Sequence, residues 1–117
     1  MYKVLFLSPM VPSQQMKATA DFFSYALDFE LALDTPEHII MSRNNLTLHI
    51  IPAGETAGET AFYLQVDDLD DFWDTVKGKM DEAKVDGLFH RSTGMKELVI
   101  HVPHTHALLH VGQAIRY

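Results

Sequence analysis

Apolar side chains recur along this chain with two different periods. At Met16, Ala20, Phe23 and Leu27, and again at Leu69, Phe72, Trp73, Val76 and Met80, they return every three or four residues, the spacing of one helix face. Elsewhere they alternate from one residue to the next, as on half-buried strands. Residues 3–12, KVLFLSPMVP, predict a strand, edge or irregular because Pro9 and Pro12 remove two ladder donors. Ser13 is placed to cap the first helix. Residues 29–34, 38–43 and 46–51 predict three strands, with Asn44-Asn45 as a hairpin turn. Residues 53–59 are small, polar and glycine-containing, which suits a connection. TAFYLQVDD, residues 60–68, alternates again. Asp67, Asp68, Asp70 and Asp71 then crowd the start of the second helix, where the backbone dipole favours negative charge, and Lys77 and Lys79 follow near its end. Residues 84–91, 95–102 and 107–112 predict three further strands.

The order β-α-β-β-β therefore occurs twice, in modules 1–52 and 60–117 joined by the loop 53–59 of a single domain spanning 1–117. Each module has four strands and one helix, so the helix covers one sheet face and leaves the other open. The expected class is α+β: eight strands in two modules forming an open cup, with the helices on the outer face. A chain of 117 residues, 47% hydrophobic, supports one core. Its formal charge of −7 removes the attraction for phosphate on which nucleic-acid and anionic-membrane binders rely. Cysteine is absent, which excludes disulfides, thiolate metal sites and cysteine nucleophiles. With no run of membrane-spanning length and no secretion signal in the sequence, the chain reads as cytoplasmic.

The candidate chemistry is concentrated in histidine. HVPHTHALLH, residues 101–110, holds four of the seven histidines. Strand alternation divides them. Along residues 95–102, Leu98, Ile100 and Val102 form the core set, which turns Glu97, Val99 and His101 to the opposite face. Along the last strand Ala107, Leu109 and Val111 oppose Leu108, His110 and Gly112. The same rule sends Leu46, Leu48 and Ile50 to the first helix and leaves Thr47, His49 and Ile51 facing the cup. It sends Phe62, Leu64 and Val66 to the second helix and leaves Ala61, Tyr63 and Gln65 inward. Six residues thus become candidates to line one cavity: His49, Tyr63, Gln65, Glu97, His101 and His110. His104 and His106 fall in a turn outside it. Arg43, on the face of Ile39 and Met41, either emerges at the rim or holds an anionic group. No glycine-rich phosphate loop, nucleophile elbow or zinc-protease helix motif is present.

Three stretches resemble the vicinal-oxygen-chelate superfamily of glyoxalases, bleomycin-resistance proteins and extradiol dioxygenases. They are PMVPSQQMKATADFFSYALDFE (9–30), YLQVDDLDDFWDTV (63–76) and STGMKELVIHVPHTHALLHVGQ (92–113), and together they span most of the chain. The Pro-x-x-Pro opening is most similar to the bleomycin-resistance branch, many of whose members bind ligands without a metal. There are departures: Thr93 stands where tryptophan is common, Asp28 replaces the usual glycine after the helix, and Val102 to His106 replaces an acidic turn.

Metalloenzymes of that superfamily carry ligands on the first, fourth, fifth and eighth strands. Here those places fall near Ser8 and on His49, Ala61 and His110, so the resemblance leaves His49 and His110 as candidate metal ligands. The implied cofactor is either a divalent metal (iron, zinc, nickel or manganese) or, with two of the four places lost, none. With Glu97, the two histidines have the composition of a non-haem iron triad. Equally, they could be strand histidines satisfied by hydrogen bonds, or a metal-free base or ligand-orienting group.

Two functions follow from the resemblance. One is a glyoxalase/bleomycin-resistance-like binder of a small hydrophobic or aromatic molecule, without an intact four-ligand metal site. The other is a metal-dependent lyase, isomerase or dioxygenase using cup histidines. The partners implied are a small-molecule ligand and a second copy of the chain in a homodimer, with no nucleic acid and no membrane.

Overall fold

In the computed structural model, which describes residues 1–55, 57–92 and 94–114 with the side chains of 90–92 left aside, two four-stranded sheets are built in the same order. The first module runs β1 (Met10–Ser13), α1 (Met16–Leu27), β2 (Glu30–Thr35), β3 (His38–Arg43) and β4 (Leu46–Pro52). The second runs β5 (Thr60–Gln65), α2 (Leu69–Val76) with a 3-10 turn (Lys77–Lys79), β6 (Lys84–Ser92), β7 (Met95–His101) and β8 (Ala107–Ala114). Strand orders are β1-β4-β3-β2 and β5-β8-β7-β6. The first strand of each module pairs in parallel with the last, and the other pairs are antiparallel. This is the α+β architecture that the alternating periods predict. Position 93 and the module end at 115–117 lie outside the described residues.

Each helix buries its apolar stripe against its own sheet. Ala20, Phe23 and Leu27 of α1 meet Val11, Ile39, Met41, Leu48 and Ile50, while Leu69 and Val76 of α2 meet Leu98, Ile100, Leu109 and Val111. All of these belong to one continuous apolar cluster, so the modules share a core. Phe72 and Trp73 pack partly buried against it.

The expected first strand is shortened. Residues 1–9 form no strand; Pro9, which has no N–H to donate, ends the ladder and contributes only its carbonyl, to the His49 N–H at 2.9 Å, while Pro12 is accommodated within β1. Ser13 is not the N-cap of α1 either. Gln15 occupies that position, and Ser13 Oγ accepts the Gln15 N–H at 3.0 Å from two residues upstream. Leu46, expected in the core, is 47% exposed at the start of β4. Asp28 ends α1 in the left-handed conformation, φ 58°, with its N–H on Phe23 O. That conformation accounts for glycine being usual there, and aspartate is among the few other residues that adopt it readily.

A chain of buried hydroxyls ties the modules together. Thr19 of α1, fully buried, donates to Pro103 O at 2.9 Å and lies 2.7 Å from Ser13 Oγ. Gln14 N–H donates to His104 O at 2.9 Å, and Ser13 bridges to Thr105. Replacing Thr19 by valine keeps the volume and strands Pro103 O without its donor. Unfolding in urea should show Thr19→Val destabilised by about 1–3 kcal/mol, with Ser13→Ala smaller because Ser13 is buried at the edge of the same chain.

Candidate functional site

Opposite the helices, each sheet presents an uncovered face, and strand register fixes what stands on it. On the first sheet Met10, His49, Ile40 and Leu33 form one lateral row, and Pro12, Ile51, His38 and Thr35 the next. On the second the rows are Ala61-Leu108-His101, Tyr63-His110-Val99 and Gln65-Gly112-Glu97. The six residues singled out by alternation all stand on these faces, with His49 on one sheet and Tyr63, Gln65, Glu97, His101 and His110 on the other. His104 and His106 are exposed in the β7–β8 turn. His104 takes a left-handed φ of 64° there and approaches Glu82 to 3.8 Å.

Two histidines already have partners. His49 Nδ1 lies 2.7 Å from His38 Nε2, so one imidazole must donate the hydrogen that the other accepts. His101 Nε2 lies 2.7 Å from Asp86 Oδ2, on the neighbouring strand. Alternation alone does not single out either partner. His38 could have been found by counting back from the Asn44-Asn45 turn, which aligns Ile40 with His49 and sets His38 diagonally beside it. Asp86 could not, because the β6–β7 register shifts between Asp86 and His90.

Arg43 emerges on the helix side. Its guanidinium donates to Leu27 O at 2.9 Å, satisfying a carbonyl at the open C-terminal end of α1. Of the four places where the superfamily's metalloenzymes have ligands, Ala61 offers no donor atom and the Ser8 hydroxyl is hydrogen-bonded to Thr47. Among the described residues no group of three or more histidine, aspartate or glutamate side chains could hold a metal ion.

Tyr63 is 48% exposed on its face, and its hydroxyl donates weakly to Gln65 Oε1 at 3.4 Å. Partial desolvation, and then the nearby Glu97 carboxylate, push its phenol above the ordinary value of 10.0. The same residue joins an apolar cavity of about 200 Å³ at the seam between the sheets, whose walls are mostly helix-side residues, Phe23, Leu27, Leu48, Phe62 and Leu64, with Leu7 and Thr47. A wider cleft of about 630 Å³ lies on the helix side among Tyr25, Arg43, Asp68, Asp71 and Lys79. Gln65 lines it too, but its charged walls suit an apolar ligand less well than the seam cavity does.

The fold recurs in solved structures. The bleomycin-binding protein from bleomycin-producing Streptomyces verticillus, complexed with copper(II)-bleomycin, superposes with a TM-score of 0.78 at 17% identity, covering 99% of this chain and 100% of that one. The bleomycin resistance determinant encoded on transposon Tn5 gives 0.79 at 20% identity, covering 97% and 100%. Lactoylglutathione lyase from Agrobacterium tumefaciens gives 0.73 at 15% identity over 92% of each chain. The chain shares the fold of these bleomycin-binding and lactoylglutathione lyase structures. No family model and no curated protein matches the sequence. No helix among the described residues is long and apolar enough to cross a membrane.

The Tyr63 environment makes a pH-dependent prediction. A phenol whose folded pKa exceeds its unfolded value contributes stability that is complete below the unfolded pKa, near 10, and is lost as pH rises through the folded one. Denaturant melts from pH 9 to 11 should therefore show a decline that is shallower in Tyr63→Phe. Equal slopes in the two proteins would contradict this environment.

Proposed function

We propose that this chain binds a small hydrophobic or aromatic molecule on the uncovered faces of its sheets, and does so without a metal cofactor. The carrying observation is the half-exposed Tyr63 ring on the uncovered face of the second sheet, which also lines the apolar seam cavity with Phe62, Leu64 and Thr47. An aromatic side chain left half in water on a sheet face offers ring surface and a polar edge to a ligand. Solved neighbours of the same fold include a protein complexed with copper(II)-bleomycin and an antibiotic-binding protein, which supports the same class of ligand here.

The donor set argues against a resident metal. Alanine at position 61 cannot ligate, Ser8 is engaged with Thr47, and the His49 nitrogen Nδ1 is engaged with His38. Imidazole and carboxylate dominate the sites of the ions concerned, and too few of them are free together here. His49, Gln65, Glu97, His101 and His110 act in this reading as polar groups that orient the ligand through hydrogen bonds.

A ligand present at about a hundred times its Kd stabilises the folded state by about 2.7 kcal/mol. A thermal-shift screen of hydrophobic and aromatic compounds, bleomycin among them, should thus yield clear rises in Tm that are reduced in Tyr63→Ala. No stabilisation across a broad set would overturn the proposal. Near-stoichiometric metal in protein purified without chelator, lost in both His49→Ala and His110→Ala, would replace it with the metal-dependent enzyme.

The binding unit in this reading is a homodimer. Val4, Leu5, Phe6 and Leu7 are exposed by 79, 82, 65 and 96%, an apolar arm that folding within one chain leaves uncovered. At about 200 Å³ the seam cavity is also smaller than the roughly 300–1,000 Å³ of sites that enclose drug-sized ligands, as expected of a site that a second copy completes. Sedimentation velocity should give a dimer, and Leu5→Lys with Leu7→Lys should shift it toward monomer. A parent chain that sediments as a monomer at every concentration would refute the assembly.

A further inference from the structure

Gly112 is buried in the middle of β8, and its backbone lies outside the left-handed region, so nothing in its own conformation calls for glycine. The requirement comes from above. A Cβ at this position would lie 2.5 Å from Tyr63 Oη, 2.9 Å from Tyr63 Cε2 and 3.1 Å from Met95 Cε. Separations that short exclude a side chain unless the ring moves. The hydroxyl end of the ring therefore rests on bare β8 backbone, with the Met95 methyl also close to where that side chain would stand.

Register gives its course. Tyr63 starts in the row it shares with His110, and its hydroxyl reaches the next row, over Gly112, whose lateral neighbours are Gln65 and Glu97. A ring held this way to complete a core would be buried, whereas Tyr63 is 48% exposed. The groups around its hydroxyl are acceptors: Gln65 Oε1 at 3.4 Å, and the Glu97 carboxylate, whose negative field reaches the phenol. Among the described residues no lysine or arginine pairs with Glu97. An aromatic face is itself electron-rich and attracts cations, and the chain's formal charge of −7 draws positive solutes toward it.

We propose that Gly112 is the seat that holds Tyr63 as a flat stacking platform, and that the ligand stacked on it is a planar aromatic cation whose charge is met by Glu97. The inference rests on the small-molecule reading above and narrows it to a ligand class and a positioning residue. Gly112 touches no ligand; it acts by allowing the ring to lie down. Glu97 selects for a positively charged edge and would repel an anion of the same shape, while the neutral Gln65 amide adds a hydrogen-bond partner.

The test uses proflavine, a planar aromatic cation, and naphthalenesulfonate, a planar aromatic anion, titrated by fluorescence against the full chain. Proflavine should bind at least about ten-fold more tightly, and Glu97→Gln should remove most of that preference. Gly112→Ala should weaken proflavine by about ten-fold in the parent, yet change it less than about two-fold in a Tyr63→Ala background, since the ring it displaces is gone. A merely structural glycine would give the same loss in both backgrounds, and that result overturns the proposal. If circular dichroism shows that Gly112→Ala does not fold, Tyr63→Leu, which leaves the glycine in place, carries the test: unchanged proflavine affinity overturns the platform. Tight binding of neutral or anionic aromatics with none of proflavine refutes this inference while leaving the broader binding reading intact. Failure of every compound to bind refutes both.

Discussion

The uncovered faces of this protein depend on how its two modules are joined, and the joint is a buried chain of hydroxyls within a shared apolar core. Thr19 and Ser13, at the start of the first helix, reach the turn that closes the second module and bond to Pro103 and each other. Buried polar groups are costly unless paired, so this contact tolerates little displacement. It fixes α1 against the β7–β8 turn, and with α1 the first sheet against the second. The cavity at the seam, and Tyr63 at its rim, inherit their positions from that arrangement.

The histidines illustrate how pairing constrains chemistry. Their crowding between positions 101 and 110 suggests a shared site, yet the strand divides them between turn and sheet face. Two of those on the faces already interact, His49 with His38 and His101 with Asp86, each at 2.7 Å. A nitrogen that shares a hydrogen with a neighbour is less free to ligate an ion. Among the described residues, the groups that remain available on the uncovered face of the second sheet include a phenol, an amide, a carboxylate and the imidazole of His110, a set suited to recognising a polar edge on an aromatic body.

Internal duplication explains why half of each sheet is left bare. Both modules use their helix to cover one face, and the sheet order is the same in each, so neither module supplies a layer for the other's uncovered side. The seam core joins them along the helix faces instead. The same division leaves residues 1–8 without a strand partner in their own chain, and Pro9 ends the ladder beside them.

Sequence periodicity by itself determined the element order, the apolar face of each helix, the α+β class and the face on which each of the six candidate residues stands, because side-chain direction follows from a period of two or 3.6 alone. Even the His38–His49 contact was implicit in the length of the Asn44-Asn45 turn. Tertiary structure decided what no local period encodes. It put Gln15 rather than Ser13 at the helix cap, and gave the Ser13 hydroxyl to a contact across ninety residues of chain. It shifted the β6 register that brings Asp86 to His101. It turned Arg43 to the end of α1, and laid a ring from another strand where a side chain at Gly112 would stand. Each of these depends on which strand lies beside which, a distance in space that the order of residues along a strand does not contain.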